Sequence, residues 1–256
     1  MLLILLLLLV LLLLTYFRPK PQIYCVLLTG KNEARYRLVP IAISNFESQD
    51  YKNKYLLIIN HGNQQSLYDS KNDRIKEIMV VNEGKKLGDF RNQAFDYIPK
   101  NALWIPFDDD DYRKPEYLSI LENKLYSTGA DAVFLRNRLD HNLNTGFTYR
   151  CHFLHGIPHI LSKNIDGFRY LSADTLEDAN LQTDLRRLKK KYVVFENDPS
   201  LYIRYIHQHN TSPYVDISKR SIIEYAKSSS YNESESYKTE KQYASHISRL
   251  YSNVFT

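Results

Sequence analysis

Apolar residues gather into short runs along this chain, and most runs end at a cluster of polar ones. Ile23 to Thr29 is a compact apolar run of strand length stopped by Gly30, and Tyr55 to Ile59 is a second, ended by Asn60-His61-Gly62-Asn63. Further strands are predicted over Ile75 to Val81, over Leu103 to Phe107, which runs straight into aspartates, and over Ala132 to Leu135. Leu38 to Phe46 places apolar residues at Leu38, Val39, Ile41, Ala42, Ile43 and Phe46, the pattern of a helix packed on a sheet, and Phe90 to Ile98 also reads as helix. Strands alternating with helices predict an α/β layer structure with a mainly parallel sheet. Ligands of such sheets bind beyond the carboxyl ends of the strands. Gly30-Lys31-Asn32, Asn60-His61-Gly62 and Asp108 to Asp111 all lie at those ends.

A different pattern opens the chain. Leu2 to Leu14 is unbroken aliphatic sequence, extended by Thr15, Tyr16 and Phe17 before Arg18 and Lys20. About 16 apolar residues span roughly 24 Å as a helix, slightly short of the bilayer's hydrocarbon core of about 30 Å. No basic segment precedes the run and no small-residue cleavage site follows it, so residues 2–17 are expected to be an uncleaved transmembrane anchor. Orientation stays open. Arg18 and Lys20 argue for a cytoplasmic domain, whereas the sequons Asn210-Thr211-Ser212 and Asn232-Glu233-Ser234 would matter only in the lumen. Residues 18–22 read as an extended linker, 23–216 as the folded domain, and 217–256, rich in Ser, Tyr, Lys and Glu, as a polar C-terminal extension.

Composition changes this picture little. With 256 residues, 43% of them hydrophobic, the chain can bury the core of one substantial domain. The net charge of +5 is modest, and the cluster Arg186-Arg187 with Lys189-Lys190-Lys191 reads as a solvated helix face, so no nucleic-acid partner is expected. Cys25 and Cys151 have no metal-ligand spacing and permit at most one disulfide.

The chemistry is concentrated at Asp108-Asp109-Asp110-Asp111, immediately after Trp104-Ile105-Pro106-Phe107. Adjacent carboxylates repel, and a hard divalent cation bound through oxygen removes that penalty. An acidic turn capping the following helix is the alternative. The strand before the run, and Pro115 and Leu118 after it, favour a metal site.

With these residues in view, residues 22–212 resemble the family-two glycosyltransferases of the GT-A fold. Four stretches carry the resemblance: Leu28-Thr29-Gly30-Lys31-Asn32-Glu33 followed by Ala42-Ile43-Ser44 and Gln49-Asp50-Tyr51; Gly88 with Arg91-Asn92-Gln93-Ala94; Phe107 to Asp111 with Pro115 and Leu118, similar to the DxD motif; and Ile165-Asp166-Gly167-Phe168 followed by Glu177-Asp178. The resemblance implies a Rossmann-like, mainly parallel sheet flanked by helices. It also implies inverting transfer of a sugar from a nucleoside-diphosphate donor to a glycan, protein or lipid acceptor. It makes Thr29, Asn32, Asn60, Arg91, Asp108 and Asp109 donor-binding, Asp110 a ligand of Mn2+ or Mg2+, Asp111 a support behind it, and Asp178 the general base. His207, in Ile203 to Thr211, corresponds to a histidine that completes the metal or phosphate site, whereas His152, His155 and His159 have no counterpart. One departure is Asn60-His61, where the family carries carboxylates that read the nucleotide base; an amide or imidazole offers a different set of donors and acceptors. The rival readings are a nucleotidyltransferase, for which Gly30-Lys31-Asn32 is a poor phosphate loop, and a membrane-anchored protein that binds sugar or nucleotide without turnover.

Overall fold

The computed structural model describes residues 19–30, 33–62, 66–68, 72–143, 148–157 and 160–207. The expected anchor at 2–17 and the polar extension therefore lie outside the described residues. No helix within them is long and apolar enough to cross a membrane.

The predicted strands form the larger of two sheets. Among the described residues it holds β1 (Ile23–Thr29), β2 (Lys54–Asn60), β3 (Ile75–Met79), β4 (Leu103–Pro106), β6 (Ala132–Leu135), β9 (Ile160–Lys163) and β10 (Tyr192–Phe195), in the order β10-β6-β9-β4-β1-β2-β3. Every pairing is parallel except those of β9, which runs antiparallel between β4 and β6. β1, β2 and β4 read as continuous apolar runs because both faces are covered. Ile23, Cys25 and Leu27 enter one core with Leu56, Ile58, Leu103 and Ile105, while Val26 and Leu28 enter the other with Leu57, Ile59 and Trp104.

Helices close both faces. α1 (Glu33–Tyr36) is a single turn, and α2 (Val39–Glu47) has Pro40 in its first turn, where a missing N–H costs nothing. α2 and α4 (Tyr117–Thr128) supply Val39, Ala42, Phe46, Tyr117, Leu118, Leu121 and Leu125 to the first core. α3 (Leu87–Ala94) and α5 (Leu181–Arg187) supply Phe90, Ala94, Leu181 and Leu185 to the second. The helix expected over Phe90 to Ile98 starts three residues earlier, and its last turn tightens into a 3-10 helix at Phe95–Tyr97.

A second sheet did not stand out in the sequence. It contains β5 (Asp111–Arg113), β11 (Tyr202–Ile206), β7 (Asn137–Asn142) and β8 (Thr148–His152), in that order. β11 is antiparallel to β5 and parallel to β7. Both cysteines are buried free thiols, so the one disulfide their number permits is not formed.

Candidate active site

After β4 the chain buries Phe107 and turns through Asp108, Asp109 and Asp110 before Asp111 opens β5. The acidic run thus sits at the carboxyl end of a central strand and at the seam between the two sheets. β5 is held from two sides. Asp111 is in register with Arg204 of β11, and the α2 side chain of Asn45 donates to the Arg113 carbonyl at 2.7 Å and accepts from its N–H at 3.1 Å. Gln49 adds a donation to the Lys114 carbonyl at 2.9 Å.

Three arginines answer the repulsion within the run. Arg91 Nη2 lies 3.0 Å from Asp108 Oδ1. Arg35 reaches two carboxylates, with Nη2 2.5 Å from Asp109 Oδ1 and Nη1 2.6 Å from Asp110 Oδ2. Arg113, fully buried with its guanidinium carbon 4.1 Å from the Phe107 ring centre, stands 3.7 Å from Asp111 Oδ2, which also accepts from the Tyr202 hydroxyl at 2.5 Å. Three guanidinium groups thus offset much of the repulsion within the run without a divalent ion. Burial acts to raise the carboxyls of Asp109, Asp110 and Asp111. At Asp110, Arg35 and His207 overcome burial and hold the carboxyl below the ordinary range. Burial prevails at Asp109, which is pushed well above it, and burial with the neighbouring Asp110 pushes Asp111 up to about 7.

A metal would find two converging donors here. His207, buried directly after β11, places Nε2 3.3 Å from Asp110 Oδ2. Asp109 is fully buried, meets Arg35 as an ion pair outside hydrogen-bond geometry, and its Oδ2 has no hydrogen-bond partner. Among the described residues no group of three or more His, Cys, Asp or Glu side chains is arranged to hold a metal alone. Carboxylate and imidazole donors nevertheless suit a Mg2+ or Mn2+ ion that takes its remaining ligands from phosphate oxygens and water.

Arg91 ties this run to the acceptor-side acids. Its Nε donates to Glu177 Oε1 at 3.1 Å while Nη2 holds Asp108, and Nη1 is buried without a hydrogen-bond partner. Glu177 is buried and Asp178 half-buried. Burial raises the Asp178 carboxyl; Arg91 opposes the rise and Asp108 adds to it. The loop carrying these acids rests on α3. Leu171 N–H donates to the Glu177 carbonyl at 2.8 Å and Gly88 N–H to the Ala173 carbonyl at 3.0 Å. A Cβ on Gly88 would lie 1.7 Å from the Leu171 carbonyl oxygen, so the approach requires glycine. Phe168 packs below, 5.8 Å from the Trp104 ring.

The other expected donor contacts sit on neighbouring strand ends. Thr29 and Asn60 are in register at the ends of β1 and β2, and the Thr29 hydroxyl is buried without a hydrogen-bond partner. Asn60 is fully buried; its amide donates to Glu77 Oε1 at 2.8 Å and accepts from Gly62 N–H at 3.2 Å. Glu77, from β3, supplies a carboxylate beside the position where Asn60 lacks one, and it accepts also from the N–H groups of Leu67 and Tyr68. Gly30 packs on this turn so closely that a Cβ would lie 2.3 Å from the Gly62 nitrogen, and its φ of +112° suits glycine. Asn32, His159 and both sequons lie outside the described residues. His155 is exposed and His152 bonds Asn137 at 3.0 Å. Arg35, Glu77, Arg113 and Tyr202 were not singled out in the sequence; the need of buried acids for partners is the one signal that pointed toward them.

A parallel sheet with one antiparallel strand wedged into it, an acidic run at the carboxyl end of β4 and a smaller second sheet define a GT-A-type fold, shared with nucleotide-sugar glycosyltransferases. Solved structures of S. aureus TarS, a GT-A-type glycosyltransferase, are similar to this chain. TarS 1–349 in complex with UDP-GlcNAc superposes with a TM-score of 0.55 at 11% identity over 87% of this chain and 70% of that one. TarS 1–349 in complex with UDP gives 0.52 at 12% identity, over 72% and 60%. A further structure of TarS 1–349 gives 0.50 at 12% identity, over 72% of this chain, and this chain spans 60% of its length. At these identities the likeness is one of fold. No protein-family profile matches the sequence, and no curated protein matches it significantly.

Proposed function

We infer that the protein transfers a sugar from a nucleoside-diphosphate donor to an acceptor hydroxyl on a glycan, protein or lipid, with inversion and with a divalent metal. The observation that carries this reading is Arg91 spanning Asp108 and Glu177, which joins the acidic run to a second acidic pair. Thr29, Asn32, Asn60, Arg91, Asp108 and Asp109 would bind the donor. Asp110 and His207 would hold Mn2+ or Mg2+, which when bound neutralises the diphosphate and aids its departure. Asp178 would accept the acceptor's proton as the acceptor oxygen attacks the anomeric carbon; that bond forms while the bond to the diphosphate breaks, and the nucleotide leaves with the electron pair. Burial of Asp178 favours this role, since a carboxyl raised toward working pH is a better proton acceptor. Residues 2–17 would keep the protein at a membrane, facing either the lumen or the cytoplasm.

The test uses the full-length chain in detergent, melted with UDP-, GDP-, CDP- and dTDP-sugars in Mn2+ and in chelator. A donor at about a hundred times its Kd should raise Tm by about 5–10 °C, and only with metal. No shift with any nucleotide sugar would remove this reading. A second reading, a binder without turnover, draws on Asn60, whose amide is engaged within the protein. It would be favoured if a donor stabilised the chain yet no acceptor released nucleoside diphosphate.

A further inference from the structure

Arg35 occupies the place where a metal would have to act. Its Nη1 lies 2.6 Å from Asp110 Oδ2, the same oxygen that faces His207 Nε2 at 3.3 Å, and its Nη2 lies 2.5 Å from Asp109 Oδ1. A divalent ion bound to that oxygen would sit beside a fixed positive charge in a buried setting, where like charges repel strongly. One cation must give way. Of the three arginines around the run, Arg35 is the one that touches Asp110. Arg113 is fully buried over the Phe107 ring, and Arg91 is committed to Asp108 and Glu177. Arg35 rises from the one-turn α1 and not from the strands and longer helices that build the apolar cores.

We propose that Arg35 is a displaceable counter-cation: it neutralises Asp109 and Asp110 in the metal-free protein, and when metal takes Asp110 it turns onto the donor's diphosphate. This rests on the reading that the donor is a nucleoside diphosphate and that Asp110 ligates the metal. A guanidinium suits both positions, because its planar fork spans two carboxylates in one state and two phosphate oxygens in the other. Metal alone must strip Arg35 from one anion, Asp110, and leave it with Asp109. Metal arriving with a diphosphate gives it a new one. The two ligands are therefore coupled, each raising the affinity of the other by the same factor. Arg35 is a positioning residue in this scheme, acting on the charge balance of the site.

The test is Mn2+ binding to the full-length chain in detergent, followed by calorimetry and by the Mn2+ paramagnetic resonance signal, with and without UDP. In wild type, UDP should tighten Mn2+ binding by about tenfold or more. Arg35→Gln should bind Mn2+ about tenfold tighter than wild type when UDP is absent, and should lose most of the gain from UDP. Arg35→Lys, which keeps a cation, should fall between. Wild type that binds Mn2+ while Arg35→Gln binds it equally or more weakly would overturn the exchange and leave the metal site standing. If neither protein binds Mn2+ even with UDP, the metal reading falls and the exchange falls with it. Should Arg35→Gln not fold, Arg35→Lys and the wild-type coupling decide: Mn2+ affinity insensitive to UDP in wild type overturns the proposal.

Discussion

Asp178 and Asp108 both lie within the field of Arg91, yet the proposed chemistry asks opposite things of them. Asp108 would face the donor, whereas Asp178 would act only when the acceptor loses its proton. Asp178→Asn keeps the shape of the side chain and removes the proton acceptor. Transfer should fall about 10²- to 10⁴-fold in kcat with donor affinity nearly unchanged, read by steady-state kinetics beside a donor titration. A wild-type kcat in this variant would move the role to Glu177. The aspartates were legible from the sequence because four carboxylates behind a buried strand form an unusual local pattern. Their partners were not. Arg35 and Asp110 are 75 positions apart, and nothing in the spacing of either residue announces the other. Two features of the sequence, acids at a strand end and arginines elsewhere, become one ion-pair system only through the fold.

Elements were readable where they bury both faces. β1, β2 and β6 fall within a residue of their expected limits, since apolar residues on both sides of a sheet leave an unbroken run. β7 shows why the second sheet was missed. Its sequence, Asn-Arg-Leu-Asp-His-Asn, is polar at five of six positions, yet all six are buried. Arg138 pairs with Asp140 at 2.6 Å, Asn137 donates to the Asn197 carbonyl at 3.0 Å, and His141 Nδ1 meets the Thr148 hydroxyl at 2.8 Å. A strand satisfied by polar partners carries no hydrophobic signature. The contact of α3 with the acidic loop is testable at this scale. Gly88→Ala sets a methyl against the Leu171 carbonyl, and backbone cannot swing aside as a side chain can. The variant should lose about 1–3 kcal/mol of stability, measured by denaturant unfolding. Because the displaced loop carries Glu177 and Asp178, kcat should drop further than the loss of folded protein accounts for.

For the molecule as a whole, the acid range is where stability should fail. Burial lowers the His141 pKa to about 4, so the imidazole stays neutral in the folded state where the unfolded chain, near 6.5, takes up a proton. Stability from this site is intact above about pH 6.5 and falls as pH drops toward 4, by about 3 kcal/mol in all. Asp111, pushed up to about 7, acts in the opposite sense, favouring the folded state as pH falls below that value. The measurement is accordingly a difference: unfolding midpoints of wild type and His141→Gln across pH 7 to 4.5, with the variant's profile losing the acid slope that His141 supplies. Two parallel profiles would show that His141 does not titrate as its burial implies. The larger sheet has one more consequence, and it concerns time. β9 pairs with β4 on one side and β6 on the other, although it is made almost sixty residues after β4. A growing chain that has already joined β3, β2, β1 and β4 therefore waits with the open flank of β4 exposed, in a run of Leu, Trp and Ile, until residues 160–163 leave the ribosome. Synthesis halted inside that interval leaves a half-built sheet with a sticky margin. The stretch between β4 and β9 is therefore one over which this sheet stays incomplete during translation.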